Sequence, residues 1–201
     1  QKKLRNHGYR TIIAVSNENP DQEAENLQML VQCRVEGILM SVCHKNKNAL
    51  LYNKIVSHGI PIVFFDRKVE GIEASVVCLD DNLMAFFMVE RLIRSGCRKI
   101  VHMSGPEHIS NGHDRYRGYR EALEKFSIPY DPRYVINGGL SAEEGSAAIE
   151  KFLSQGLEFD GLFGFTEAST LGAKSLLQKN IIAYPKMYHY VAFRAQCYAH
   201  L

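Results

Sequence analysis

Short apolar runs rich in β-branched residues alternate along this chain with longer amphipathic stretches. The runs predict strands at Thr11–Ser16, Val35–Ser41, Pro61–Asp66, Ser75–Asp80, Lys99–Gly105, Tyr134–Asn137, Gly161–Thr166 and Tyr190–Phe193. Several lack the strict in-and-out alternation of a half-exposed strand, as expected where both faces of a parallel sheet are covered. Between them, helical spacing predicts helices at Gln1–His7, Asp21–Arg34, Ala49–His58, Asp81–Ser95, Arg115–Phe126, Ala142–Gln155 and Ala168–Lys179. Gly8, Gly59, Gly96, Gly156 and Asn180 stand where helices stop and read as C-caps. Strands alternating with helices of this length build βαβ units, and hence a doubly wound α/β fold.

The rhythm breaks once, at Lys68–Ala74, a polar segment that joins two strands without room for a helix. A second irregular stretch, Pro106–Asp114, follows the end of a strand. Ligands of open α/β sheets bind at the carboxyl ends of the strands, so these loops are the first places to look for a site.

At 201 residues the chain is one large domain or two small lobes, and 46% apolar with 23% charged residues is an ordinary globular balance. Twenty-four Lys and Arg against 22 Asp and Glu leave a formal charge of +2, which excludes a strongly basic nucleic-acid face as the dominant feature. No apolar run reaches the roughly 18 residues of a membrane span. The five cysteines, Cys33, Cys43, Cys78, Cys97 and Cys197, are odd in number and form no C-x-x-C pair, which fits a reducing cytoplasm better than a disulfide scaffold.

Catalytic and phosphate-binding signatures are absent: there is no G-x-S-x-G elbow, no phosphate loop and no H-E-x-x-H. Gly138 and Gly139 lack dinucleotide-loop spacing. His102, His108 and His113 lie nearest one another among the histidines, but no carboxylate or cysteine spacing supports a metal site, so none is expected. Asp80-Asp81-Asn82, between a strand and a helix, reads as an N-cap. Asp66 and Arg67 end an apolar strand. Arg115 stands in the first turn of its predicted helix, against the preference of the helix dipole. It reads either as a bidentate hold on a ligand or as a solvated surface arginine.

Read in order, these segments resemble the effector-binding domain of the lactose/galactose repressor (LacI/GalR) family of bacterial transcription regulators. The stretches that carry the resemblance begin with Gly8-Tyr9 and Glu25-x-x-x-x-Leu30, followed by Val35-Glu36-Gly37-Ile38-Leu39. Gly59-Ile60-Pro61-Ile62-Val63-Phe64-Phe65-Asp66-Arg67, Val77-x-x-Asp80 and Leu92-Ile93-x-x-Gly96-x-Arg98-Lys99-Ile100 continue it. Arg115-x-x-Gly118-Tyr119-x-x-Ala122-Leu123, Leu171-Gly172-Ala173 and Pro185 complete it.

The resemblance implies two Rossmann-like, periplasmic-binding-protein-like lobes with a ligand cleft between them. Residues 1–80 would form the N-terminal lobe, lacking its first strand, and residues 81–201 the C-terminal lobe. It further implies a cytoplasmic homodimer, neither enzymatic nor cofactor-dependent. A sugar or sugar derivative would control operator binding by an N-terminal helix-turn-helix outside this sequence. The rival reading is the sugar-binding component of a transport system with the same fold.

Carried over position by position, the ligand-binding residues are Asp66, Arg115, Thr166, Glu167, Phe193 and Arg194. Thr166 and Glu167 replace the family's usual Asn-Asp pair, while Arg194 and Ala195 replace the aspartates after Phe193. Two arginines in one site favour an anionic sugar derivative, whereas an Arg194 turned to solvent leaves a neutral sugar.

Overall fold

A computed structural model describes residues 2–179 and 189–193. Asn180, Pro185 and Arg194 therefore lie outside the described residues. The helices are α1 (Lys2–Asn6), α2 (Pro20–Gln32), α3 (Ala49–Ser57), α4 (Asp81–Arg94), α5 (Ser110–Lys125), α6 (Ala142–Ser154) and α7 (Glu167–Lys179). The strands are β1 (Ile38–Met40), β2 (Ile62–Phe65), β3 (Ser75–Val77), β4 (Ile100–Ser104), β5 (Val135–Asn137), β6 (Gly161–Gly164) and β7 (His189–Ala192). All described ladders are parallel, in a sheet ordered β1-β2-β3 and a sheet ordered β5-β4-β6-β7. The fold is thus parallel α/β. Its helix stops are chemically legible: Gly8, Gly59, Gly96 and Gly156 all take positive φ, between 73° and 103°.

Two compact units divide the chain. The first holds the residues up to Cys78 together with His108–Ser110. The second holds Leu79–Glu107 and the residues from Asn111 onward.

In the first unit, Ile38 and Met40 of β1 and Ile62 and Phe64 of β2 are buried against Leu27 of α2 and Tyr52 and Ile55 of α3. Alternate strand residues point the other way, and there Leu39 is 64% exposed. A buried carboxylate, Glu23, ties the helices together. It accepts from the Cys43 amide at 2.7 Å, from Asn48 Nδ2 at 2.8 Å and from the Tyr52 hydroxyl.

Thr11–Ser16, expected as a strand, forms no ladder here. Asn26 Nδ2 donates to the Val15 carbonyl at 3.1 Å, and Ser16 Oγ lies 2.9 Å from Cys43 Sγ. A groove of about 610 Å³, lined among others by Ile13, Val15 and Leu39, runs beside this segment and β1. An apolar pattern makes a residue run suitable for a strand, but only a paired neighbour makes it one.

In the second unit the period of two sorts the strand residues onto opposite faces. Ile100 and Phe163 pack with Ala85, Val89 and Leu92 of α4 and with Tyr119 and Leu123 of α5. Val101, Met103 and Leu162 pack with Ile149 and Phe152 of α6 and with Ala173 and Leu177 of α7. Helices therefore cover both faces of this sheet, which is doubly wound. The chain leaves β4 toward β5 and returns to β6 on the other side of β4, so the strand order reverses between β4 and β6. That reversal opens a crevice at the carboxyl ends of the two strands.

α4 and α5 meet through Gly118. A Cβ there would lie 2.2 Å from the Asn82 carbonyl oxygen and 2.8 Å from Ala85 Cβ. Gly118→Ala is expected to lower stability by about 1–3 kcal/mol, because backbone cannot yield as a flexible side chain does. Gly37→Ala is the control, since its nearest neighbour would be an ordinary 3.5 Å away. Urea unfolding of both variants checks this, and equal midpoints would refute it.

Candidate ligand site

Arg115 lies on α5, facing the crevice between β4 and β6, with its side chain 8% exposed. Its Nε donates to Asp81 Oδ1 at 2.7 Å, and its Nη1 donates to the Phe165 carbonyl at 2.7 Å. The guanidinium carbon is 3.7 Å from the centroid of the Phe193 ring and 4.5 Å from that of Phe165. Each such contact adds about 0.5–2 kcal/mol when desolvated. Three sequence segments thus converge on one cation: the start of α4, the end of β6 and the end of β7. Gly105, just after β4, completes the wall, for a Cβ there would overlap the Phe165 ring at 2.3 Å.

Arg115 is not in a first helical turn. α5 begins at Ser110, five residues before the expected start, although Ser110-Asn-Gly-His-Asp114 is poor in intrinsic helix formers. Asn111, one of these residues, is 5% exposed, so packing overrides propensity here. The macrodipole argument for Arg115 therefore falls, while its contacts with Asp81, Phe165 and Phe193 stand on the structure.

Asp80 and Asp81 divide their roles. The Asp80 side chain caps α4 by accepting from the Leu83 amide at 3.0 Å, as the sequence suggests. Asp81, 3% exposed, turns inward to Arg115 instead. The cap reading missed this second function, and it missed Phe165 as well. The only sequence signal for Asp81 was the acid doublet itself, since one aspartate suffices for a cap.

The remaining candidates have distinct surroundings. Thr166 caps α7: its Oγ1 accepts from the Ser169 amide at 3.1 Å and lies 2.9 Å from Ser169 Oγ. Glu167 opens α7, where a carboxylate suits the helix dipole. Phe193 is 9% exposed and also leans on Phe163, with centroids 6.2 Å apart. Asp66 belongs to the first unit, at the end of β2, with φ +66° and its carboxylate 3.8 Å from Arg67 Nε. Arg67 is committed to Glu18, with contacts of 2.6 and 2.8 Å.

Beneath the site, His102 of β4 is fully buried among Phe163, Tyr119 and Tyr116, with centroids 4.7, 5.1 and 6.2 Å away. Its Nδ1 lies 3.3 Å from the Phe163 carbonyl, which places the proton on that nitrogen. Burial pushes its pKa down to about 4. The unfolded chain then binds a proton near pH 6.5 that the folded chain refuses until about pH 4. Stability is full above the unfolded value and falls as pH drops through this window. Between roughly pH 7 and pH 5 the loss from this residue is about 2 kcal/mol. Urea midpoints at the two pH values check it, and His102→Asn should flatten the difference.

The description "periplasmic binding proteins and sugar binding domain of LacI family" matches residues 1–193. The chain belongs to this family. Among LacI-family relatives, the ribose operon repressor of Halalkalibacterium halodurans is 25% identical over 167 residues, 83% of this chain and 48% of that protein. The transcriptional repressor CytR of Escherichia coli K12 is 25% identical over 188 residues, 94% of this chain and 54% of CytR. The chain spans about half the length of these curated relatives. The transcription regulator CcpA of Lactococcus lactis superposes with a TM-score of 0.82 at 23% identity, over 94% of this chain and 68% of that one. The Cra dual regulator of Pseudomonas putida, solved with fructose 1-phosphate, gives 0.81 at 21% identity, over 93% and 68%. These two structural likenesses show a shared fold. Among the described residues no helix is long and apolar enough to cross a membrane.

Proposed function

We propose that this chain is the effector-binding region of a LacI-type transcriptional regulator. In the whole protein it binds a sugar or sugar derivative and, through that ligand, controls a DNA-binding headpiece outside this sequence. The observation that carries the reading is the convergence of Arg115, Asp81, Phe165 and Phe193 at the strand-order reversal of a LacI-family domain. A ring face and a directional donor at the carboxyl ends of parallel strands suit a polyhydroxylated ring, which presents apolar C–H faces and hydroxyl edges.

Residues 1–80 and 81–201 form the two lobes of this reading, and Asp66, Thr166, Glu167 and Arg194 join Arg115 and Phe193 as ligand contacts. The regulator works as a cytoplasmic homodimer and performs no catalysis. The relatives named as repressors and regulators support this over a transport component, which shares the fold.

Selection of genomic DNA fragments by the intact protein, repeated with and without a panel of sugars, tests the proposal. Recovery of a pseudo-palindromic site whose occupancy changes with one sugar is expected. Sugar binding without any sequence-selective DNA binding would favour the transport reading and overturn this one.

A further inference from the structure

Arg115 is the cation of the candidate site, and its charge is set by what surrounds it. The cation is not a bare charge. Asp81 holds its Nε at 2.7 Å, and both side chains are almost fully buried, 8% and 4% exposed. In such surroundings an ion pair behaves as a nearly neutral dipole, because each charge cancels most of the other's field at a third group. The acceptor on Nη1 is the Phe165 carbonyl, which is uncharged. Glu167, at the start of α7 and next to Thr166 in sequence, adds a further carboxylate at the carboxyl end of β6.

We infer that Asp81 is a specificity-determining positioning residue, which compensates the charge of Arg115 and so tunes the site to neutral polyhydroxylated ligands over carboxylated or phosphorylated ones. This rests on the ligand-binding reading above and deepens it. It favours the neutral of the two alternatives that the sequence leaves open. Of the two arginines that the anionic alternative invokes, Arg115 carries Asp81 as its counter-charge.

The cause is separable from shape. Asparagine at position 81 keeps an oxygen that can accept from Arg115 Nε but removes the negative charge. An acidic ligand would then meet a guanidinium that Asp81 no longer compensates. A charge-assisted contact of that kind is expected to raise its affinity relative to the neutral sugar by about ten- to a hundredfold. A merely structural Asp81 would weaken both ligands together and leave their ratio unchanged.

The test uses the intact protein and its Asp81→Asn variant. Thermal midpoints are measured with ribose and ribose 5-phosphate, with glucose and glucuronate, and with inorganic sulfate at constant ionic strength. The native protein should respond to a neutral sugar more than to its acidic partner and should ignore sulfate. Asp81→Asn should reverse the order and gain a response to sulfate. If Asp81→Asn shows the native ratio and no sulfate response, the inference is overturned while the ligand-binding reading stands. If no sugar binds either protein but sulfate stabilises only the variant, the charge role of Asp81 stands and the sugar reading fails. Should Asp81→Asn unfold on its own, rescue by sulfate, and rescue without sulfate by Arg115→Gln in the same chain, support the inference. Failure of both rescues overturns it.

Discussion

Arg115→Met is expected to cost the protein about 3–5 kcal/mol of stability, and Asp81→Leu in the same chain is expected to return most of that loss. The reason is an asymmetry of buried charge. Removing the guanidinium leaves Asp81, 3% exposed, as a buried carboxylate without that cation. Removing both charges leaves two apolar side chains among Phe165, Phe193 and Ala85, surroundings that already accept them. On that outcome the pair contributes little net stability, as a pair serving ligand recognition would. Urea unfolding of the two single variants and the double variant closes the cycle. A double variant as unstable as the sum of its singles would show that the two residues act independently.

Phe163→Ala carries an effect of similar size, about 3–5 kcal/mol, and a second signature besides. Phe163 is fully buried at the middle of β6 and lies between the His102 ring and Phe193. Its loss opens a cavity directly against the imidazole. Water entering that cavity can solvate a protonated His102, so its depressed pKa should climb back toward the ordinary histidine value. The variant should thus be less stable at pH 7 and should also lose the fall in stability between roughly pH 7 and pH 5. Destabilisation with the slope intact would mean that His102 is kept neutral by something other than this ring stack.

The βαβ plan was legible in the chain because the central strands of the second unit, Ile100–Ser104 and Gly161–Gly164, are covered on both faces and so lack the polar–apolar alternation of a half-exposed strand. Helix stops were legible because a left-handed residue is a local requirement that glycine meets. What failed was whatever depends on distant partners. Thr11–Ser16 has the composition of a strand, yet pairing is a property of two segments and the groove beside β1 separates it from a ladder. Ser110–Asp114 looked like a loop because its residues are weak helix formers one by one, and burial of Asn111 is invisible in the sequence.

The candidate site was partly legible for the same reason. Arg115 and Phe193 could be placed through a family resemblance. The partners that define Arg115 lie 34 and 50 residues away along the chain, at Asp81 and Phe165. No local pattern announces them. Thr166 shows what the sequence left out. It sits at the end of β6, where a ligand contact was expected, while its hydroxyl already caps α7.

The central claim is that ligand recognition runs through Arg115 at the carboxyl ends of β4 and β6. The most direct measurement is a thermal-shift screen of neutral sugars on the intact protein, run in parallel on Arg115→Met with Asp81→Leu, which is expected to keep the fold. A sugar that raises the midpoint of the native protein and leaves that of the double variant unmoved is the predicted result. The same rise in both proteins would place the ligand elsewhere and contradict the account.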